Sequence, residues 1–174
     1  MQGGCQCGAV RFEAEVASDD AYLCHCRMCQ KASGAPMMAW ATYARDKVAF
    51  PLAQPKLRKS STRAERGFCG DCGSSLFARS PTDPDAMGIR MGTFDGDPGV
   101  RPGFRQYVAD AAPWEPIPDD GLPRYPAGRG AGPPAGHPVS LHASQRRAAD
   151  ALPYGAPEGA AGRVSYIYTM PGSG

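Results

Sequence analysis

Cys24-His25-Cys26-Arg27-Met28-Cys29 places three thiols within six residues. Outward from it stand two tighter pairs, Cys5 with Cys7 toward the start and Cys69 with Cys72 farther on. All seven cysteines of the chain fall into these three groups, and none is isolated. A disulfide framework would rarely group this way, and an odd count cannot pair completely. Thiols in close pairs and triples are how a chain presents soft ligands to a metal, usually zinc.

The groups divide four and three. Gly8 follows Cys7, Gly73 follows Cys72, and Gly70 lies inside the second pair. Glycine beside a ligating cysteine lets the backbone turn tightly, so that amide N–H groups point at the sulfurs. The two pairs therefore read as zinc knuckles that together supply a closed tetrahedral site of the structural kind. Between Cys7 and Cys69 lie 61 residues. One ion would tie the start of the chain to its middle and contribute to folding itself.

No glycine follows the last cysteine of the triple; Gln30-Lys31 come next. Three protein ligands on one ion leave a fourth tetrahedral position for water or substrate. Three thiolates on Zn²⁺ leave a net charge of about −1, so the ion suits holding another thiolate better than generating hydroxide. Two other readings stand beside the open site. One is a second closed site completed by His25 or another residue; the other is a redox thiol group of the Cys-x-x-Cys type. His25 is flanked by two candidate ligands, and its side chain would tend to point away.

The 174 residues suffice for one domain with a real core. A net charge of +2 and a pI near 8.2 are too mild to imply nucleic acid. No apolar segment approaches the roughly 20 residues of a membrane span. The start, Met-Gln-Gly-Gly-Cys, lacks the basic and apolar regions of a secretion signal. The expected home is the reducing cytosol, where clustered thiols are metal ligands or redox groups. Glycine and proline make 40 of 174 residues, which favours β structure and loops over long helices.

Residues 9–16 alternate, with Val10, Phe12, Ala14 and Val16 on one side and Arg11, Glu13 and Glu15 on the other. Tyr22-Leu23 leads into the triple. Met28 to Ala35 offers a helical turn or two before Pro36. Strands are predicted at Met37 to Tyr43 and Val48 to Phe50, and an exposed one at Leu57 to Arg66. Others follow at Ser75 to Ala78, Met87 to Phe94 and Phe104 to Ala109, with a turn at Asp95 to Gly99. An all-β domain is thus expected over residues 1–126. In residues 127–174, Gly, Pro and Ala make 25 of 48, so this tail is expected to be extended or disordered. Within it, Ser144 to Leu152 could form a short helix and Val164 to Thr169 an edge strand.

Three segments resemble the glutathione-dependent formaldehyde-activating family, which includes centromere protein V. They are Gly3-Gly4-Cys5-Gln6-Cys7-Gly8, the central hexapeptide, and Arg66-Gly67-Phe68-Cys69-Gly70-Asp71-Cys72-Gly73-Ser74. Ser33-Gly34 with Pro36, Ser60-Ser61, Gly92-Thr93-Phe94-Asp95 and Ala112-Pro113-Trp114 add to the likeness, which covers residues 2–126. The resemblance implies a β-tent fold of stacked antiparallel sheets with two zinc ions. Cys5, Cys7, Cys69 and Cys72 would hold the structural ion, and Cys24, Cys26 and Cys29 the catalytic one. The implied activity is that of a carbon–sulfur lyase, reversible formation of S-hydroxymethylglutathione from glutathione and formaldehyde.

On this reading a substrate thiol is held as thiolate beside the triple and adds to an aldehyde carbon, or the reverse cleaves the adduct. The developing alkoxide needs a donor, and Ser33, Ser60, Ser61 and the backbone around Gly34 are candidates. Lys31, Arg27 or Arg66 could attract a glutathione carboxylate. The competing readings are a non-catalytic zinc module that binds a thiol ligand or protein partner, and a thiol-redox protein.

Overall fold

The alternation at residues 10–14 builds the first layer. Val10, Phe12 and Ala14 are buried while Glu13 faces solvent, as a strand half-covered by a core requires. The structure is a computed structural model and describes residues 1–15 and 20–131. Strands β1 (Gln2–Gly4), β2 (Arg11–Ala14) and β5 (Val48–Ala49) form a three-stranded sheet with β2 in the middle.

The second layer has eight strands. They are β3 (Ala21–Cys24), β4 (Met38–Ala44), β6 (Lys56–Ser61), β7 (Ala64–Phe68), β8 (Ser75–Ser80), β9 (Asp83–Arg90), β10 (Phe104–Gln106) and β11 (Arg124–Tyr125). Their order across the sheet is β11-β10-β3-β4-β9-β8-β7-β6. Among the described residues the single α-helix is α1 (Arg27–Ser33), between β3 and β4. This is the all-β architecture expected from the short apolar runs and frequent breakers.

One core joins the two sheets. Phe12 meets Phe94 edge-on with ring centroids 5.1 Å apart. Ala21, Ala41, Tyr43, Phe77, Met87 and Ile89 close over it from the large sheet. A second, smaller cluster lies apart from the first. It consists of Cys24, Cys26, Cys29, Met38 and Trp40, with Tyr22, Ala78 and Tyr107 packed against it. Strand alternation accounts for the division: Ala41 and Tyr43 face the main core, while Met38 and Trp40 face the cysteines.

Several elements depart from the expected ones. Leu57 to Arg66 is not one exposed strand but most of a hairpin. Ser61 Oγ accepts from Arg63 N–H at 3.2 Å, and this local side-chain turn reverses the chain between β6 and β7. The Met87 strand begins earlier, at Asp83, and ends at Arg90, where a 3₁₀ turn takes over. The Phe104 strand stops at Gln106 because Tyr107 takes a left-handed backbone, φ 57°. The stacking is not wholly antiparallel, since β10 runs parallel to both β3 and β11. Val16 and the segments 144–152 and 164–169 lie outside the described residues.

Candidate metal centres and cavity

The first cysteine group is made by two matching turns. Cys5 N–H donates to Val10 O at 3.0 Å and Gly8 N–H to Cys5 O at 3.1 Å. Cys69 N–H donates to Ser74 O at 2.8 Å and Gly73 N–H to Cys69 O at 3.0 Å. Gly8 and Gly73 both hold left-handed backbones, φ 79° and 75°, which a side chain would strain. Ser74 Oγ links the turns by accepting from Gln6 N–H at 3.1 Å. The turns bring four Sγ atoms within 4.8 Å of one another. Cys5 Sγ lies 3.5 Å from Cys7 Sγ, and Cys7 Sγ 3.8 Å from Cys69 Sγ. Zn–S bonds of about 2.3 Å in a tetrahedron put sulfurs about 3.8 Å apart, so the donor set fits zinc. Val10 N–H donates to Cys5 Sγ at 3.2 Å, the amide support a thiolate ligand needs.

The second group comes from one strand end and one helix start. Cys24 ends β3, Cys26 caps α1, and Cys29 lies in the first turn of α1. Cys26 has extended backbone, φ −61° and ψ 149°, and its sulfur accepts from Cys29 N–H at 3.4 Å. The residue that would ligate therefore also starts the helix. All three side chains are buried, and their sulfurs also lie within 4.8 Å of one another. Hydrogen bonds from Cys24 and Cys26, with the Arg66 guanidinium nearby, hold the Cys29 thiol far below the ordinary thiol range. Cys24, which supplies such bonds and is buried among its neighbours, is pushed far above it. Such crowded sulfurs suit a shared cation.

His25 is not among them. Its side chain is buried on the other side of the loop, where Arg105 Nη1 donates to its Nε2 at 3.2 Å. Arg105 in turn holds Asp120 Oδ2 at 2.6 Å. Burial and the neighbouring Arg105 and Arg124 cations bring the imidazole down to about 4, so it is neutral at pH 7. Gln30, also buried, fixes the helix from within: its Nε2 donates to Asp110 O at 2.7 Å and to His25 O.

Residues 1–110 match the family model described as glutathione-dependent formaldehyde-activating enzyme. The chain belongs to the glutathione-dependent formaldehyde-activating enzyme family. A Schizosaccharomyces pombe (strain 972 / ATCC 24843) protein named an uncharacterized lyase is 32% identical over 76 residues. That match takes in 44% of this chain and 55% of the relative, so the chain spans about half the length of the curated protein it matches. A crystal structure of a Rhodobacter sphaeroides protein aligns with a TM-score of 0.48 and 28% identity, over 55% of this chain and 89% of that one.

In this family member the buried trio borders a cavity of about 790 Å³ on one face of the large sheet. Residues directly opposite one another across the strands form its floor. Arg66 pairs with Ala78, Ala78 with Gly88, and Gly88 with Thr42. Ala78 and Gly88 keep the middle of the floor low, and Trp40 stands beside them. Arg90 lies over the Trp40 ring at 5.6 Å.

The sequence-predicted polar groups have different fates. Ser33 Oγ donates to Cys29 O at 2.9 Å, and Ser60 Oγ to Ala64 O at 3.1 Å, so both hydroxyls serve the backbone. Lys31 is exposed, and Arg27 bonds Gln30 at the surface end of its helix. Arg66 alone of the three named cations reaches the trio, with Nη2 3.9 Å from Cys29 Sγ. Trp40, Gln30 and the His25–Arg105–Asp120 chain were missed. The run at Met37 to Tyr43 is apolar on both faces but for Thr42, which alone does not tell the core face from the cavity face, and Arg105 is 80 residues from His25.

Proposed function

We propose that this chain is a zinc-dependent carbon–sulfur lyase acting on a thiol–aldehyde adduct such as S-hydroxymethylglutathione. Cys24, Cys26 and Cys29 form the catalytic site, and Cys5, Cys7, Cys69 and Cys72 a structural zinc site, two ions per chain. Residues 1–126 carry this function, and Ala127 and Arg129 still pack on them, through Tyr107 N–H to Ala127 O at 3.0 Å and the Arg129 guanidinium over the Phe104 ring. The observation that carries the reading is the buried trio opening onto a cavity, with no fourth ligand side chain gathered to it among the described residues. Family membership and the lyase name of a relative support it. No helix among the described residues is long and apolar enough to cross a membrane. A reducing compartment such as the cytoplasm suits seven free thiols.

A zinc ion held by three thiolates supplies the chemistry of keeping a substrate sulfur in its thiolate form at neutral pH. The protein's own residues prepare the place. Met38 and Trp40 pack against the three cysteines and keep water from their inner side. Gln30 and the neutral His25 pin the loop, so that its sulfurs are preorganised rather than gathered at each turnover. The cavity gives the thiol's remainder a binding surface that raises its effective concentration beside the aldehyde.

The test is turnover on a panel of glutathione–aldehyde adducts. Cys26→Ser is expected to abolish turnover while the domain stays folded, and Cys69→Ser to unfold it. If both variants remain folded and active, the assignment of the two groups is wrong. A folded wild-type protein inactive on every adduct would instead indicate a zinc module that only binds thiols or a protein partner.

A further inference from the structure

Arg66 is a cavity-lining cation with a buried N–H that the fold leaves unbonded among the described residues. It sits on β7 and borders the cavity beside the trio. Nη2 approaches Cys29 Sγ at 3.9 Å. Nη1 is buried and has no hydrogen-bond partner among the described residues. A buried guanidinium N–H without an acceptor is costly, and beside a cavity a ligand oxygen can supply the missing acceptor. The residue opposite on β8 is Ala78, which leaves the space beside the guanidinium free. Of the other arginines that line the cavity, Arg27 bonds Gln30, Arg79 bonds Glu65 and Arg63 is exposed, while Arg90 does not border it and bonds Ala32 O at 3.4 Å. The hydroxyls of Ser33 and Ser60 are spent on carbonyls.

We propose that Arg66 is a catalytic residue whose Nη1 donates to the carbinol oxygen of the thiol–aldehyde adduct. This rests on the lyase reading above. The choice of oxygen follows from bond lengths. In a hemithioacetal the oxygen is one carbon from the sulfur. A donor within reach of the trio's own sulfur is therefore in range of that oxygen. The carboxylates of a peptide thiol lie several bonds farther off, which makes Arg66 a poor anchor for them. In the cleavage direction the carbinol O–H gives its proton to solvent. The oxygen's electron pair forms the C=O bond, the C–S bond breaks, and its electrons leave with the sulfur as thiolate. In the forward direction the thiolate adds to the carbonyl carbon and the alkoxide takes up a proton. Nothing is oxidised or reduced. Arg66 keeps its own protons throughout and acts by stabilising negative charge on oxygen.

The experiment compares wild type with Arg66→Met and Arg66→Gln, reading kcat and KM on the adduct turned over best, together with zinc content. Losing one such donor is expected to lower kcat by ~10²-fold or more in both variants, with KM changed by no more than about threefold and zinc content unchanged. A rise in KM at unchanged kcat would make Arg66 a substrate anchor and overturn the proposal. Loss of zinc from both variants would make it a structural counter-charge and overturn the proposal equally. Absence of turnover by the wild type fails the lyase reading first and this inference with it. Active wild type with undiminished variants fails this inference alone.

Discussion

Gly67 has no room for a methyl group. A Cβ there would lie 2.1 Å from Cε1 of Phe77, whose ring fills the main core. Gly67→Ala is expected to lower unfolding free energy by about 1–3 kcal/mol, the usual cost of overpacking, measured from the denaturant midpoint. Gly92→Ala, where a Cβ meets nothing within 4 Å, is the control and should leave the midpoint in place. The Asp120–Arg105–His25 chain is a second residue-scale dependence. Arg105 has only 3% of its side chain exposed, and Asp120 is its ionic partner. Arg105 holds the Asp120 carboxyl below the ordinary carboxylate value of 3.8, so the pair contributes stability above that value and loses it as pH falls. Asp120→Asn leaves the buried Arg105 cation poorly compensated, but the carboxylate itself is exposed, so the change should cost about 1 kcal/mol at neutral pH. Its thermal midpoint relative to wild type checks this. Equal midpoints would mean that solvent replaces the carboxylate.

At the scale of elements, the thiol turns were legible and the strand faces were not. A Cys-x-Cys-Gly or Cys-Gly-x-Cys-Gly turn is set by residues covalently adjacent, so Gly8 and Gly73 declared their left-handed backbones in advance. A helical turn or two was legible at Met28 to Ala35 with Pro36 as the stop, but the helix runs Arg27–Ser33 and Gly34 closes it by donating to Gln30 O at 2.8 Å. β4 was different. Ala41 and Tyr43 are buried in one cluster and Met38 and Trp40 in another, so both faces carry large apolar residues and Thr42 is the single polar mark of the cavity side. The parallel partner β10 was equally hidden. Its pairing of Phe104 with Tyr22 joins residues far apart in sequence and depends on no local pattern. The β6–β7 hairpin was missed because its turn rests on one serine hydroxyl rather than on glycine or proline.

At the scale of the whole molecule, the two cysteine groups sit on different parts of one frame. The quartet ties the stretch after β1 to the β7–β8 turn and packs into the core between the sheets through Cys5 and Cys69. The trio lies in the smaller cluster, beside the cavity. Loss of the first metal should therefore spread through the fold, whereas loss of the second should stay local. The most direct measurement is zinc per folded chain in wild type and in Cys26→Ser. Two equivalents falling to one, with the fold and its chelator resistance at the quartet retained, is the expected result. A single equivalent in the wild type, or loss of both on changing Cys26 alone, would contradict the division of seven thiols into a closed site and an open one.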